Sequence, residues 1–129
     1  MTVLVVDDES AVRGVLTRSI SAAGHYVLEA ATGVEAAQMA RSFHGPIHLA
    51  VVDQTLEDRK PGIEVAAELA TIHPGIRLLL ISGHLEEEVR RGLPRTPIHV
   101  EFLQKPFAPV VLLDKIRHML ADYNKSWST

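Results

Sequence analysis

The 129-residue sequence contains no cysteine, which excludes disulfides, thiolate metal sites and cysteine nucleophiles. It also lacks an excess of basic residues, because 13 Lys and Arg face 16 Asp and Glu and leave a net charge of -3. Proteins that track nucleic-acid phosphates normally carry a strongly basic balance, so direct nucleic-acid binding is not expected. No apolar run approaches the ~20 residues of a membrane span. We therefore expect a cytoplasmic protein that does not insert into a membrane.

Short apolar runs recur at regular intervals along the chain. The first, residues 3–6, is continuous and rich in β-branched side chains, a pattern typical of a strand that is covered on both faces in a parallel sheet. The other runs cover residues 26–28, 47–52, 77–81 and 99–103. Between them the apolar spacing becomes helical. The sequence thus predicts alternating strands and helices.

Capping and breaking residues mark the ends of the predicted helices. The first helix ends at Gly24, and the second begins with Thr32 and Glu35, whose spacing is that of a capping box. The remaining predicted helices are a third that ends before residues 74–75, a fourth over about 85–93 and a fifth after residues 106–109. The fourth carries few apolar residues.

Five alternations of strand and helix predict an α/β fold, a (βα)5 unit with a doubly wound, open parallel sheet and helices on both faces. The chain leaves no room for a second folded domain, because domains usually hold roughly 100–150 residues. We expect one domain over residues 1–122. Residues 123–129 lack periodicity and are predicted to form a C-terminal tail.

Polar residues follow four of the predicted strands: Asp7 and Asp8, Asp53, Ser82, and Lys105. In an open parallel sheet, ligands bind outside the carboxyl ends of the strands. Three carboxylates in one crevice repel each other by about 4 kcal/mol per close pair at an effective dielectric of 20, unless a cation joins them. Mg²⁺ prefers one or two carboxylates with waters and phosphate oxygens. The pattern predicts a phosphoryl-transfer site with Asp53 as nucleophile and with Lys105 and Ser82 as donors.

Each of these residues also has an ordinary structural interpretation. The acid pair suits the start of a helix, and Asp53 suits a turn or a cap. Lys105 alone is typical of a solvated loop, and Ser82 before a glycine is typical of a turn. The combination favours a functional site, because separate accidents would have to place all of them at the right strand ends.

Four segments carry a resemblance to a known family: residues 3–9 (VLVVDDE), 49–53 (LAVVD), 80–84 (LISGH) and 102–107 (FLQKPF). Together they make the chain, from residue 2 to about 122, similar to the receiver domain of two-component response regulators. The resemblance implies the fold of chemotaxis regulators, with the flavodoxin-like strand order 2-1-3-4-5. The last two segments also look like those of the carboxy-terminal receivers of hybrid sensor kinases.

The resemblance implies a metal site around a phosphoacceptor. Carried over by position, Asp53 accepts the phosphoryl group and Asp8 is the direct ligand of Mg²⁺ or Mn²⁺. Asp7 holds the metal largely through water, and the backbone carbonyl of Thr55 completes the protein ligands.

The resemblance also implies switch residues. Ser82 follows the phosphoryl group, Lys105 pairs with it, and the rotamer of Phe102 reports the state. His84 and Thr55 stand where dephosphorylation can be tuned. For His84 the alternative is a surface histidine at the start of a helix.

The implied function is signalling. A partner phosphohistidine, on a sensor histidine kinase or a histidine phosphotransfer protein, transfers its phosphoryl group to Asp53. The product changes the surface formed by the predicted fourth helix, fifth strand and fifth helix, which contacts an unspecified downstream protein. Such a domain catalyses only its own phosphorylation and dephosphorylation. A single-domain regulator, a phosphorelay intermediate and a receiver cut from a larger protein remain alternatives.

The loop after Asp53 departs from the family pattern. Receivers usually have a proline four residues beyond the acceptor and a glycine eight beyond, where this chain has Glu57 and Pro61, and Gly62 follows one residue late. The loop is thus predicted to be one residue longer, and residues 57–60 are all charged. A solvated insertion is the ordinary interpretation.

Two other functions remain open. A pseudo-receiver would bind partners through the same surface without phosphorylation. A small Mg²⁺-dependent phosphatase would use Asp53 on a free substrate, but the chain offers no second acid two residues beyond, where Thr55 stands.

Overall fold

The computed structural model describes residues 1–55, 61–83 and 99–127, with side chains up to residue 121. Its centre is a five-stranded parallel sheet with the order β2-β1-β3-β4-β5, which confirms the predicted topology. The strands are β1 (Thr2–Val6), β2 (Tyr26–Ala30), β3 (Leu49–Asp53), β4 (Arg77–Ser82) and β5 (Val100–Gln104). Strand order reverses between β1 and β3, so the sheet has its topological switch point there.

Four helices are described: α1 (Ser10–Ala22), α2 (Gly33–Ser42), α3 (Gly62–Ile72) and a C-terminal helix (Pro109–Trp127). The C-terminal helix extends into the segment 123–129, where the sequence pattern predicts a tail. The predicted helix over 85–93 lies outside the described residues, as do His84 and Glu57.

Both faces of the sheet are covered. Alternate residues of the inner strands belong to two separate core clusters, because successive side chains of a strand point to opposite faces. One cluster packs Leu4, Ala50 and Leu80 against α2 and α3. The other packs side chains such as Val5 and Leu79 against α1 and the C-terminal helix. Burial on both faces explains why the strands read as continuous apolar runs.

The helix ends agree with their sequence signals. The Thr32 hydroxyl oxygen accepts a hydrogen bond from the Glu35 backbone N–H at 3.1 Å, so Thr32 caps α2. Gly24 and Gly75 follow α1 and α3 with φ angles of 99° and 94°, a conformation that favours glycine. Within the described ranges, no helix combines the length and the apolar character that crossing a membrane requires.

Candidate functional site

Three carboxylates meet at the carboxyl edge of the sheet. β1 and β3 are neighbours in register, with Val6 beside Val52, so the residues that follow them lie side by side. Asp7, Asp8 and Asp53 each offer a carboxylate oxygen, and these oxygens lie within 4.8 Å of one another. Parallel strands end at a shared edge, which is why residues about forty-five positions apart form one cluster.

Burial makes this cluster electrostatically costly. Asp7 is 2% exposed and Asp53 8% exposed, while Asp8 is half-buried. Burial raises the pKa of Asp7, the Glu9 backbone N–H that donates to its Oδ1 at 3.0 Å opposes the rise, and the charge of Asp53 adds to it. A set of oxygen donors with excess negative charge fits a hard divalent cation such as Mg²⁺.

Two groups approach Asp53 from different sides. The backbone N–H of Thr55 donates to Asp53 Oδ1 at 3.1 Å. The Lys105 ammonium lies 3.4 Å from Asp53 Oδ2, and its side chain is 39% exposed. Lys105 follows β5, and its backbone N–H donates to the Ser82 carbonyl oxygen at 2.8 Å. The end of β4 therefore anchors the Lys105 backbone, whose amine lies beside the Asp53 carboxylate.

The two predicted switch residues lie at different positions along neighbouring strands of the sheet. Ser82 is the last residue of β4, 5% exposed, at the same edge as the acid cluster. Phe102 lies in the middle of β5 beside Leu80, and it packs in the core cluster that faces α2 and α3. The structure thus places Ser82 at the site edge and Phe102 below it.

Comparison with known proteins identifies the family. Residues 3–117 match the family model described as the response regulator receiver domain. The chain belongs to this family. The receiver is 35% identical to part of the sensor kinase CckA of Brucella abortus, over 92% of this chain and 12% of the kinase. It is 35% identical to the response regulator MprA of Mycobacterium avium, over 93% of this chain and 51% of that protein. The receiver thus spans about one eighth and about half of these curated relatives.

Solved structures agree with this assignment. The receiver domain from the hybrid histidine kinase CckA superposes with a TM-score of 0.77 at 29% identity, covering 93% of this chain and 99% of that one. A CheY-like receiver domain protein from Methanospirillum hungatei gives 0.80 at 25% identity, covering 97% of each chain. A response regulator receiver protein from Sinorhizobium medicae gives 0.80 at 27% identity, covering 94% of each. The predicted resemblance and fold are confirmed.

Sequence reasoning missed a residue that holds the acid pair of this receiver. The Arg13 guanidinium donates to the Asp7 main-chain oxygen at 2.7 Å and lies 3.4 Å from Glu29 Oε1. Arg13 therefore ties the end of β1 to the edge strand β2. The sequence feature that could have indicated Arg13 is a basic residue in the first turns of the helix that follows the acid pair.

Gln54 was also missed, although it follows Asp53 directly. Its side-chain and backbone oxygens accept hydrogen bonds from the start of α3, beyond the charged segment 57–60. Gly62 begins that helix, and a Cβ there would overlap the Asp53 carbonyl oxygen and lie 2.7 Å from the Gln54 Cα. The late glycine of the sequence pattern is therefore the residue that lets α3 pack on the peptide between Asp53 and Gln54.

Proposed function

We propose that this receiver is a phosphoacceptor domain in which Asp53 takes a phosphoryl group from a phosphohistidine. The donor belongs to a sensor histidine kinase or a histidine phosphotransfer protein in the cytoplasm. The observation that supports this most directly is the Asp7, Asp8 and Asp53 cluster within 4.8 Å, with the Lys105 ammonium 3.4 Å from Asp53. It combines the donor set for a hard cation with a nucleophile and a positive charge.

The acid cluster fits Mg²⁺, or Mn²⁺ in its place. Asp8 is proposed as the direct carboxylate ligand and Asp7 as a ligand largely through water, with Asp53 and the Thr55 carbonyl oxygen completing the protein ligands. When bound, the cation neutralises charge on the transferring phosphoryl oxygens. It also offsets the repulsion among the three carboxylates. Among the described side chains that act on the pKa of Asp7, Lys105 is the only one that opposes this repulsion.

In the transfer step, a carboxylate oxygen of Asp53 attacks phosphorus in line with the leaving imidazole. The new oxygen–phosphorus bond forms as the nitrogen–phosphorus bond breaks, and the imidazole nitrogen keeps the electron pair. Thr55 and Lys105 hold the two oxygens of the carboxylate from separate directions, which restricts its rotation before attack. Lys105 donates a hydrogen bond to a phosphoryl oxygen and so neutralises charge on the phosphoryl group as the group is transferred to Asp53.

Phosphorylation then changes the surface. The phosphoryl group adds about -1.5 to -2 charge, which attracts Lys105 and the Ser82 hydroxyl, and Phe102 repacks beside β4. A shift from about 1:99 to 99:1 needs roughly 5.5 kcal/mol, which a few charge-assisted hydrogen bonds supply. The affected surface comprises β5, the C-terminal helix and the predicted helix over 85–93. Thr55 and His84 are proposed to tune the self-catalysed dephosphorylation.

Intact-mass measurement tests the acceptor. After incubation with a small acyl phosphate and Mg²⁺, the wild type should gain one phosphoryl group of about 80 Da, and Asp53→Asn should gain none. The matched control is Asp114→Asn, an exposed carboxylate on the C-terminal helix that pairs with Arg117 and should leave the gain intact.

Other outcomes overturn the proposal. A wild type that binds Mg²⁺ but gains no mass from acyl phosphate or phosphohistidine partners would indicate a pseudo-receiver. Phosphorylated Asp53→Asn would indicate another acceptor. Sustained turnover of a generic phosphate ester would indicate a small phosphatase.

A further inference from the structure

We propose that Gln54 is a positioning residue that couples the start of α3 to the acceptor Asp53 and to Thr55. This inference rests on the proposed function, because it concerns the backbone that would hold Mg²⁺ and the phosphoacceptor. Gln54 itself is half-buried and is not among the proposed Mg²⁺ ligands.

Gln54 supplies the cap that α3 lacks. The residue before this helix, Pro61, makes no side-chain capping bond. Instead, the Gln54 carbonyl oxygen accepts from the Gly62 N–H at 2.9 Å, and Gln54 Oε1 accepts from the Ile63 N–H at 2.9 Å. The first N–H groups of a helix have no partner within it, so these two bonds satisfy the donors that begin α3.

The same residue is anchored to the sheet. The Gln54 N–H donates to the Ile81 carbonyl oxygen of β4 at 2.9 Å. Gln54 therefore bonds to β4 through its N–H and to α3 through two oxygens. Because Asp53 and Thr55 are its neighbours in the chain, these bonds hold the peptide planes on both sides of the acceptor turn.

The acceptor turn depends on that orientation. The Thr55 N–H must point at Asp53 Oδ1 to donate its hydrogen bond at 3.1 Å. The peptide between Gln54 and Thr55 sets this direction, and the Thr55 carbonyl is the proposed metal ligand. Loss of the Gln54 capping bond would therefore displace two groups of Thr55 together: the N–H that donates to Asp53 Oδ1 and the carbonyl oxygen proposed as a metal ligand.

The position of Gly62 gives Gln54 a further role. The described chain stops at Thr55 and resumes at Pro61, and Gly62 comes one residue later than the family spacing predicts. Bonds from Gln54 to Gly62 and Ile63 join the two ends of this segment directly. Two hydrogen bonds between described residues therefore join the site to α3.

The test compares Gln54→Leu with Gln54→Glu. The first removes the side-chain oxygen that accepts the hydrogen bond and keeps a similar side-chain size, and the second keeps an oxygen that can accept it. The matched control is Thr32→Val, which removes the equivalent side-chain cap from another helix, α2. Isothermal titration measures the Mg²⁺ dissociation constant without any phosphodonor. We expect Gln54→Leu to weaken Mg²⁺ binding about tenfold, as loss of residues that orient ligands usually does. Gln54→Glu and Thr32→Val should bind no more weakly than wild type.

A second readout separates this inference from the proposed function. In the metal-free protein, the hydrogen-exchange protection of the Thr55 amide, which donates to Asp53 Oδ1, should fall in Gln54→Leu and keep its wild-type value in Thr32→Val. A wild type without Mg²⁺ affinity would refute the proposed metal site, while the Thr55 protection would still decide the role of Gln54. Unchanged Thr55 protection and unchanged Mg²⁺ affinity in Gln54→Leu would overturn the inference. Gln54→Met, which also lacks the acceptor, replaces Gln54→Leu if that variant does not fold.

Discussion

The Lys105 ammonium lies 3.4 Å from Asp53 Oδ2, although 52 positions separate the two residues in the chain. β4 stands between the strands that carry them, so the lysine reaches across the end of a strand to Asp53. The bond from the Lys105 N–H to the Ser82 carbonyl oxygen fixes the backbone position from which the lysine side chain extends. A long, flexible side chain with a compact charge suits this position because the amine can follow a transferred group.

Replacing this amine should slow phosphorylation. In Lys105→Met, we expect the rate of phosphoryl incorporation from acyl phosphate at saturating Mg²⁺ to fall roughly 10²-fold, the effect of losing one donor aimed at developing charge. Quenched time courses followed by intact mass give the rate. Lys115→Met is the control, because Lys115 pairs with Glu101 at 2.8 Å on another surface. Equal rates in Lys105→Met and wild type would remove Lys105 from the mechanism.

The stability of the metal-free protein should depend on pH through Asp7. Its folded pKa is raised above the ordinary value of 3.8, first by burial, so the folded state holds this proton to a higher pH than the unfolded chain does. The stability that Asp7 contributes is therefore present below its unfolded pKa and is lost as the pH rises through its folded pKa. Asp7→Asn stays neutral, so it should become more stable than wild type as the pH rises through the folded pKa of Asp7. Urea denaturation in the presence of a chelator measures the difference.

Mg²⁺ should make the wild type more stable than Asp7→Asn, the reverse of the order expected without metal. At a free concentration of 100 times the dissociation constant, a ligand of the folded state adds about 2.7 kcal/mol to the free energy of unfolding. We expect wild type to gain this stabilisation at neutral pH and Asp7→Asn to gain much less. Equal Mg²⁺ effects on the two proteins would contradict a metal role for Asp7.

His48 should make the fold sensitive to mild acid. Its Nδ1 accepts a hydrogen bond from the Thr2 backbone N–H at 3.0 Å, which requires that nitrogen to be unprotonated. Burial lowers the pKa of His48 below its ordinary value of 6.5. The unfolded chain therefore takes up the proton first, and stability is lost as the pH falls through 6.5 toward the folded pKa.

The free energy of unfolding, measured in urea between about pH 5 and pH 7.5, should therefore fall less steeply on acidification in His48→Asn than in wild type. Asn keeps an acceptor oxygen for Thr2 but does not titrate. His118→Gln, at an exposed position, should retain the wild-type slope. An unchanged slope in His48→Asn would show that this histidine is not the sensitive group.

Gly62 should tolerate no side chain. A Cβ there would overlap the Asp53 carbonyl oxygen, so Gly62→Ala should lower the free energy of unfolding by about 1–3 kcal/mol, as overpacking usually does. It should also reduce the rate of Asp53 phosphorylation, because the displaced peptide carries the acceptor. Gly14→Ala is the control: its Cβ would meet only the Arg18 guanidinium at 3.5 Å, within α1. That variant should gain about 0.5–1 kcal/mol, because alanine suits a helix interior better. Chemical denaturation of both variants checks the pair.

The sheet follows closely from the sequence because the strands are short and the inner ones, β1, β3 and β4, are buried. The run at 3–6 lies within β1, and the run at 77–81 falls within β4. Apolar periodicity is a local property, and burial on both faces makes it visible without any knowledge of partners. The acid cluster was predictable for a related reason, since strand ends are local and parallel strands share an edge.

The supporting contacts were not predictable in the same way. The bond from Arg13 to the Asp7 carbonyl oxygen depends on how α1 lies over β1. The Gln54 cap depends on where α3 returns to the sheet after residues 56–60. Neither residue type nor spacing encodes these positions, because the partners are joined through packing of whole elements.

The alternation of strands and helices and the identity of the residues at each strand end are readable from the amino-acid sequence, since both follow from local patterns of polarity and backbone preference. Tertiary structure decided which atoms meet: Lys105 with one oxygen of Asp53, Thr55 with the other, and Gln54 with the start of α3. Those pairings arise from strand order, register and helix docking. They appear only when distant segments pack around one core.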